Sequence, residues 1–159
     1  MAAGSVEIAV EDPTTADAQA CFLAYFEELD ARFDGGFDPG TSISADPGEL
    51  TDPHGVLLVA RLDGKPVGAG AAKFHGTEPA EIKRMWISPD ARGHGIARRI
   101  LAQLEGRARE HGATATRLET NGTLTEAIRL YRSAGYVEVA PFNDEPYAHH
   151  WFEKDLDPR

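Results

Sequence analysis

The chain has one cysteine, no long apolar run, and almost no positive charge in its first third. The single cysteine, Cys21, excludes an intramolecular disulfide, and the apolar helical pattern around it predicts a packed core thiol rather than a nucleophile. No segment approaches the roughly 20 consecutive apolar residues that span a bilayer, and the start lacks the basic and apolar blocks of a signal peptide. The sequence therefore predicts a cytoplasmic protein without a membrane partner.

The shortage of positive charge is local. Residues 1–52 contain twelve acids and one base, Arg32, which gives a net charge of −11, whereas residues 53–159 contain fourteen acids and fifteen bases, a net charge of +1. An acidic surface disfavours nucleic acid and attracts cations over long range. We therefore expect no nucleic-acid partner. The acids serve either to attract a cationic partner or simply to keep the protein in solution.

Length and periodicity predict one domain, residues 1–159, of mixed α/β structure. Apolar residues that alternate, or that run without interruption between turn signals, predict strands over residues 6–12, 55–62, 66–74, 80–88, 113–120, 136–140 and 148–156. The pair Asp63–Gly64 suits a tight hairpin turn, and the Gly- and Pro-rich residues 37–53 predict a loop with at most one short helical turn.

Three helices are predicted. The first has an apolar face formed by Phe22, Leu23, Tyr25, Phe26, Leu29 and Phe33, and it ends near Gly35–Gly36. The second runs from Gly93 to about His111, where Gly112 closes it. The third lies in residues 123–135, with Thr123 and Glu126 as a capping box and Gly135 just after its end.

The most informative stretch is "SPDARGHGIARRI", residues 88–100. A strand that passes through a proline turn into a glycine-containing helix start presents unpaired N–H groups and a positive helix end, which together favour a phosphate or pyrophosphate. A dinucleotide fingerprint needs a third glycine where Arg98 stands, and the Gly-Lys-Ser/Thr of a Walker loop is absent. The pattern that remains is Arg92-x-x-Gly95-x-Ala97.

That pattern, after "MWISPDARG", resembles the cofactor-binding signature of the GNAT superfamily of N-acetyltransferases. The downstream "EAIRLYRSAGY" resembles the family's next helix and "FEKDL" its last strand, so the resemblance covers about residues 55–156. It implies a splayed, mostly antiparallel central sheet of about seven strands flanked by helices. It also implies acetyl-coenzyme A (acetyl-CoA) as cosubstrate, with no metal.

By this resemblance the pyrophosphate rests on the 92–97 turn and the pantetheine lies in the splay beside the strand "EIKRMWIS". The residues implied to hold the cofactor are Met85, Trp86, Ile87, Arg92, Gly93, His94, Gly95, Ile96, Ala97 and Asn121. Asn121 is included because many relatives have an asparagine at the position where this chain has Leu124. A turn residue before Gly122 is the equally open reading of Asn121.

The resemblance also implies two catalytic groups. Tyr131, in the family's Ala-x-x-Leu-Tyr pattern, is the expected acid for the departing thiolate, and a core tyrosine is the alternative. Glu81 is the expected base for the amine, because "AEIKRMWIS" resembles the histone-acetylating branch of the family. The alternative for Glu81 is a solvated residue at the end of a strand.

The acceptor is less constrained. Glu28 would attract a cationic amine, whereas Arg84, Tyr147 and His149 could hold a carboxylate; a structural role for His149 is the alternative. The predicted function is acetyl transfer to a primary amine of a small molecule. A protein or peptide N-acetyltransferase and a non-catalytic acyl-CoA-binding module stay open, and a homodimer is possible.

Overall fold

The computed structural model describes residues 5–43 and 45–156; Ser44 and both ends of the predicted domain, residues 1–4 and 157–159, lie outside the described residues. The strands are β1 (Val6–Val10), β2 (Gly55–Leu62), β3 (Lys65–His75), β4 (Glu78–Ile87), β5 (Ala115–Thr120), β6 (Val137–Val139) and β7 (His150–Asp155). The helices are α1 (Ala16–Arg32), α2 (Ile96–Glu110) and α3 (Thr125–Ser133). Short 3₁₀ turns lie at Pro47–Leu50 and Pro89–Ala91.

The strands form a seven-stranded sheet in the order β1-β2-β3-β4-β5-β7-β6. Every neighbouring pair is antiparallel except β4 and β5, which are parallel. This confirms the predicted mixed fold with a mostly antiparallel sheet. None of the helices within residues 5–43 and 45–156 is long and apolar enough to cross a membrane.

The parallel seam between β4 and β5 is short. Only Ala80–Thr116 and Glu81–Arg117 are paired across it, although β4 continues to Ile87 and β5 to Thr120. Beyond these pairs the two strands separate, which is the predicted splay. The separation leaves backbone groups of both strands unpaired and opens a cleft between them.

Both faces of the sheet are covered, as the uninterrupted apolar run of β2 requires. Leu58 and Ala60 pack on the face that holds α2, while Leu57 and Val59 pack on the opposite face against Cys21 and Phe22 of α1. Burial raises the pKa of the Cys21 thiol to about 11, which fits the predicted core thiol.

Several predicted local features are confirmed. Asp63 and Gly64 both have positive φ (51° and 82°), as a two-residue hairpin turn requires. Gly112 and Gly135 follow the ends of α2 and α3 with φ of 96° and 101°. The loop after α1 contains one short helical turn, also as predicted.

Three predictions about the helices were wrong. α2 begins at Ile96, because Gly95 takes a left-handed conformation and ends the turn. Leu23 is 60% exposed, so it faces solvent on α1. The capping box does not form: α3 begins at Thr125 without a side-chain cap, because Asn121 binds both the N–H and the hydroxyl of Thr123.

Candidate active site

Two cavities open in the cleft between β4 and β5. The larger cavity, of about 600 Å³, lies between the end of β4, the start of α2, and α3. The smaller cavity, of about 140 Å³, lies between β4, β5, α1 and the segment before β7. Six residues line both cavities and form their common wall: Tyr25, Leu29, Met85, Leu124, Ala127 and Tyr131.

The floor of the larger cavity is the turn between β4 and α2. Gly95 caps α2 with φ of 75°, a conformation that favours glycine, and a side chain there would meet no atom within 4 Å. No side chain of the described residues caps the helix, so its first N–H groups have no side-chain acceptor. Eight of the ten residues predicted to hold a cofactor line this cavity: Met85, Trp86, Ile87, Arg92, Gly93, Gly95, Ile96 and Ala97.

The rim of the larger cavity is charged. Arg92 forms an ion pair with Glu28 of α1 and also donates from Nε to the Ile87 carbonyl at 3.1 Å. Glu28 also pairs with Arg32 at 3.1 Å, and Arg32 reaches Glu126 of α3 at 2.9 Å. These pairs join α1 to the β4–α2 turn and to α3 across the mouth of the cavity.

Glu28 therefore borders the larger cavity, whereas a contact with the acceptor would place it beside the smaller one. The apolar pattern of α1 identifies which side of the helix faces solvent, and at Glu28 that side borders the larger cavity. Asp30, another acid of the same helix, binds the N–H of Phe37 at 2.8 Å and so stabilises the end of α1. Neither carboxylate lines the smaller cavity.

Tyr131 stands in the common wall with 5% of its surface exposed. Its ring packs edge-on to Tyr136 (5.9 Å between centroids) and against Phe152 (6.4 Å), which fixes its orientation. Burial raises the pKa of its phenol well above the usual range, and the neighbouring Tyr25 and Glu119 act in the same direction. The hydroxyl consequently stays protonated at neutral pH, as a proton donor must.

A loop and an aromatic cluster cover the smaller cavity. The rings of Phe33, Phe37 and Tyr147 contact one another, with centroids 4.9 to 5.7 Å apart. The Tyr147 hydroxyl accepts the N–H of Asp38 at 2.9 Å and hydrogen-bonds Thr41 at 3.0 Å. The loop after α1 is thus tied to the segment before β7, and both form the wall where sequence predicted the acceptor side.

Arg84 lies in the smaller cavity at a bulge in β4. Ala69 pairs with Trp86 and Ala71 with Lys83, so Arg84 and Met85 together stand opposite a single residue of β3. Arg84 has φ of 56°, an uncommon value for a residue that is not glycine. The bulge turns its guanidinium into the cavity wall.

The guanidinium is held by two rings. Its carbon lies 4.5 Å from the centroid of Phe22 and 4.9 Å from that of Phe26. One nitrogen donates to the Ala45 carbonyl at 3.3 Å. Burial lowers the pKa of Arg84, but an arginine still remains charged at neutral pH.

A second charged group, Glu119 of β5, faces the same cavity. Its side chain is 7% exposed, and Oε1 accepts from Lys83 Nζ at 2.7 Å. Its other oxygen, Oε2, is buried and has no hydrogen-bond partner among the residues that the structure describes. A buried carboxylate oxygen without a donor is rare and requires a partner, either an ordered water or a bound group.

Glu81 does not reach either cavity. Its carboxylate binds His75 at 2.7 Å and lies 4.0 Å from Lys83. Burial acts to raise the pKa of Glu81, but Lys83 and His75 outweigh it, and the pKa is lowered. A lowered pKa makes Glu81 a weaker base, and of the two glutamates only Glu119 lines a cavity.

Three more predicted site residues stand outside the places expected for them. Asn121 lines the smaller cavity instead of the larger, with its amide bonded to the Tyr147 carbonyl at 2.7 Å. His149 lines neither cavity; its Nδ1 accepts the N–H of Gly122 at 3.0 Å. His94 also lines neither cavity, although both neighbouring glycines line the larger one.

Within the described ranges, no cluster of three or more His, Cys, Asp or Glu side chains could hold a metal ion.

Sequence reasoning missed Glu119, Lys83 and Tyr25. Burial raises the pKa of Tyr25 to about 12, and its side chain stands in the common wall. The signal available for Glu119 was a carboxylate inside the strand predicted over residues 113–120. A charge at such a position needs a partner or a function.

Comparison with known proteins places this geometry in a family. Residues 15–136 match the acetyltransferase (GNAT) family. The IAA acetyltransferase of Azospirillum brasilense is 39% identical over 146 residues, which cover 90% of each chain. The N-alpha-acetyltransferase RimI of Mycobacterium tuberculosis is 34% identical over 142 residues, which cover 87% of this chain and 84% of the relative.

Solved structures show the same fold. YncA from Salmonella typhimurium, described as an acetyltransferase and solved with its cofactor acetyl-CoA, superposes with a TM-score of 0.72 at 16% identity. The match covers 98% of this chain and 96% of that one. At this identity the likeness concerns the fold alone.

Proposed function

The chain belongs to the GNAT family of N-acetyltransferases, and on that premise we propose that it transfers the acetyl group of acetyl-CoA directly to a primary amine of a small molecule. The observation that carries this proposal is the common wall of the two cavities. Tyr131 and Met85 line both of them. A donor in the larger cavity and an acceptor in the smaller one would therefore meet at these residues, as direct transfer requires.

The larger cavity suits a coenzyme A. Its volume of about 600 Å³ lies within the range of small-molecule sites, and its floor is a helix start with free N–H groups and an adjacent arginine. Gly93–Ala97 with Arg92 would hold the phosphates, and the strand end at Met85–Ile87 would bind the pantetheine through its backbone. Acetyl-CoA, when bound, supplies an acetyl group activated as a thioester.

The acceptor amine must lose a proton to react. A free alkyl amine has a pKa near 10.4, so only roughly one in a few thousand is neutral at pH 7. Glu119 would receive this proton, directly or through a water, because it lines the smaller cavity and its Oε2 has no donor among the described residues. Lys83 holds the other oxygen and thereby fixes the carboxylate.

The departing sulfur needs a proton in turn. Tyr131 holds one at its phenolic oxygen, and no hydrogen bond engages that oxygen within the part of the chain that the structure describes. Its ring is fixed by Tyr136 and Phe152. The two proton transfers thus use separate residues, Glu119 on β5 and Tyr131 on α3.

The size of the smaller cavity supports a small acceptor. About 140 Å³ beneath the loop held by Tyr147 and Glu145 suits a compact molecule better than a folded protein segment. The similarity to the N-alpha-acetyltransferase RimI is the observation that favours a peptide amine as the second candidate.

Release of coenzyme A tests the proposal. The protein is supplied with acetyl-CoA and a panel of alkyl amines, amino acids, aminoglycosides and short peptides with free N-termini, and the new thiol is followed with a thiol reagent. Cys21 is only 2% exposed, so it contributes little background. Turnover of a small molecule supports the proposal, turnover of peptides alone favours the second candidate, and no turnover despite coenzyme binding indicates a binding module.

A further inference from the structure

We infer that the acceptor is a zwitterion, a free amino acid with an apolar side chain, whose carboxylate binds Arg84 and whose amino group lies beside Glu119. This inference rests on the proposed function, because it names the substrate of the same site. It follows from two groups of opposite charge with few hydrogen bonds to the described residues and from the apolar wall beside them.

Arg84 differs from the two arginines at the mouth of the larger cavity, Arg92 and Arg32. Arg92 and Arg32 both pair with carboxylates of the protein. Arg84 has no carboxylate within 4.0 Å among the residues that the structure describes, and its single hydrogen bond, to Ala45, is 3.3 Å long. Its five N–H donors are thus almost unused.

An unpaired cation on a cavity wall calls for an anion. Removing a guanidinium from water is unfavourable unless a carboxylate or another acceptor compensates. The rings of Phe22 and Phe26 offset part of this loss, but a ring cannot accept hydrogen bonds from the N–H groups as a carboxylate does. A carboxylate can accept two parallel hydrogen bonds from a guanidinium.

The bulge fixes the direction of this cation. Arg84 adopts its positive φ where two residues of β4 oppose one of β3. Such a conformation is unfavourable for arginine and persists only where the surrounding structure holds it. The guanidinium is accordingly held in advance of binding, which favours a specific partner over a diffuse attraction.

Glu119 provides the opposite pole. Its Oε2 is buried without a donor, while Lys83 satisfies only Oε1. The ammonium or amine of an acceptor would supply the missing donor. Because Arg84 and Glu119 lie on the diverging strands β4 and β5 and line one cavity, a single small molecule can reach both.

The remaining wall selects the side chain. Phe33, Phe37 and Tyr147 form an aromatic surface on the smaller cavity. An apolar or aromatic side chain would bury its surface there. The N-terminal residue of a peptide carries no α-carboxylate and would leave Arg84 unpaired, so the site favours a free amino acid over a peptide.

Matched acceptors test the inference. For phenylalanine, leucine and methionine, kcat/KM of coenzyme A release is compared among the free acid, its amide and the amine without the carboxyl group. We expect the free acids to be preferred by about 10- to 100-fold, the usual effect of one charge-assisted pair. The amide is the weaker base and holds more neutral amine at neutral pH, so this preference runs against intrinsic reactivity.

Two variants assign the preference to Arg84. Arg84→Met keeps an unbranched side chain against Phe22 and Phe26 but removes the charge, so kcat/KM for the acids should fall about 10- to 100-fold, mainly through KM, towards that of the amides. Arg84→Lys keeps the charge and should retain part of the preference. If Arg84 only supports the loop through Ala45, all three acceptors fall together and lysine rescues none of them.

The outcomes separate the inference from the proposed function. If amides or simple amines are acetylated as well as the acids, or better, the inference is wrong and the proposed acetyltransferase function stands. If no acceptor of any kind releases coenzyme A, the proposed function fails, and the inference fails with it.

Discussion

Arg92 is paired with Glu28 across the mouth of the larger cavity, with Nη2 2.5 Å from Oε1. An acid of α1 thus occupies the cation that the proposed pyrophosphate site requires. The anionic phosphates would have to displace this carboxylate or bind beside it. We therefore expect Glu28 to compete with the phosphates for Arg92, and the substrate role of Glu28 stays a prediction.

Glu28→Gln should tighten coenzyme A binding by roughly fivefold, because it removes a like charge and frees Arg92. Isothermal titration at two salt concentrations measures the change. Glu27→Gln is the matched control, since Glu27 is the exposed neighbour and alters net charge equally. Weaker binding in Glu28→Gln would mean that the carboxylate positions Arg92 for the ligand.

Gly95→Glu should abolish tight coenzyme A binding, because the side chain would enter the space above the helix start and bring a like charge to the phosphates. The matched control is Gly64→Glu in the β2–β3 turn, where φ is also positive and the space around the Cβ is also open. Both substitutions should destabilise the fold by about 1 kcal/mol. Equal coenzyme affinity in the two folded variants would contradict the site.

Tyr131→Phe should lower turnover by roughly 10²- to 10⁴-fold with little change in coenzyme affinity. The ring packing against Tyr136 and Phe152 is kept, and only the hydroxyl is lost. Tyr25→Phe, in the same wall, separates the two phenols. Near-normal turnover of Tyr131→Phe under conditions where chemistry limits the rate would make Tyr131 a packing residue.

His111 should make stability depend on pH. Its pKa is raised, first because Nδ1 lies 2.9 Å from the Arg107 carbonyl and then because Nε2 lies 3.2 Å from Asp52. A raised folded pKa gives a contribution that is present below the unfolded pKa of about 6.5 and is lost as pH rises through the folded pKa. For this exposed pair we expect about 0.5 kcal/mol or less.

Urea unfolding of the wild type and His111→Gln at pH 5.5 and pH 8.5 measures this difference. The gap in unfolding free energy between the two proteins should be larger at pH 5.5. His54→Gln is the control, because it removes a nearby imidazole that makes no side-chain hydrogen bond within the described residues. The difference in unfolding free energy between the wild type and His54→Gln should be the same at both pH values. An equal gap at both pH values would show that His111 acts through its contact with Phe74 instead.

Local signals in the sequence predicted most of the fold. The apolar runs of β2 and β3, the Asp63–Gly64 turn and the glycines after α2 and α3 each act over a few residues, so pattern and conformation coincide. The capping box failed because Thr123 has a nearer partner, Asn121, in the turn role that was the alternative for this residue. Glu126, the other residue of the expected box, forms an ion pair with Arg32, which is far away in sequence.

The two cavities differed in how far sequence could describe them. The floor of the larger cavity is one contiguous turn, so a motif identified it. The smaller cavity is assembled from separate segments: Glu119 meets Lys83 across 36 positions, and Tyr147 meets Asp38 across 109. Such pairings depend on how far β4 and β5 diverge, which no single segment encodes.

The short seam between β4 and β5 divides the sheet into two parts joined by only two residue pairs. One part carries Arg84 and Met85, and the other carries Glu119, with Tyr131 packed on it against Phe152. A ligand in the cleft would contact both parts and bridge them. Ligand binding should consequently slow amide hydrogen exchange in β5 and β7 as well as in β4, and raise the melting temperature by mass action. A ligand that bridges the two parts would also fix the position of Arg84 and Met85 relative to Glu119 and Tyr131. We therefore expect the alignment of these groups to depend on how firmly the ligand binds both parts.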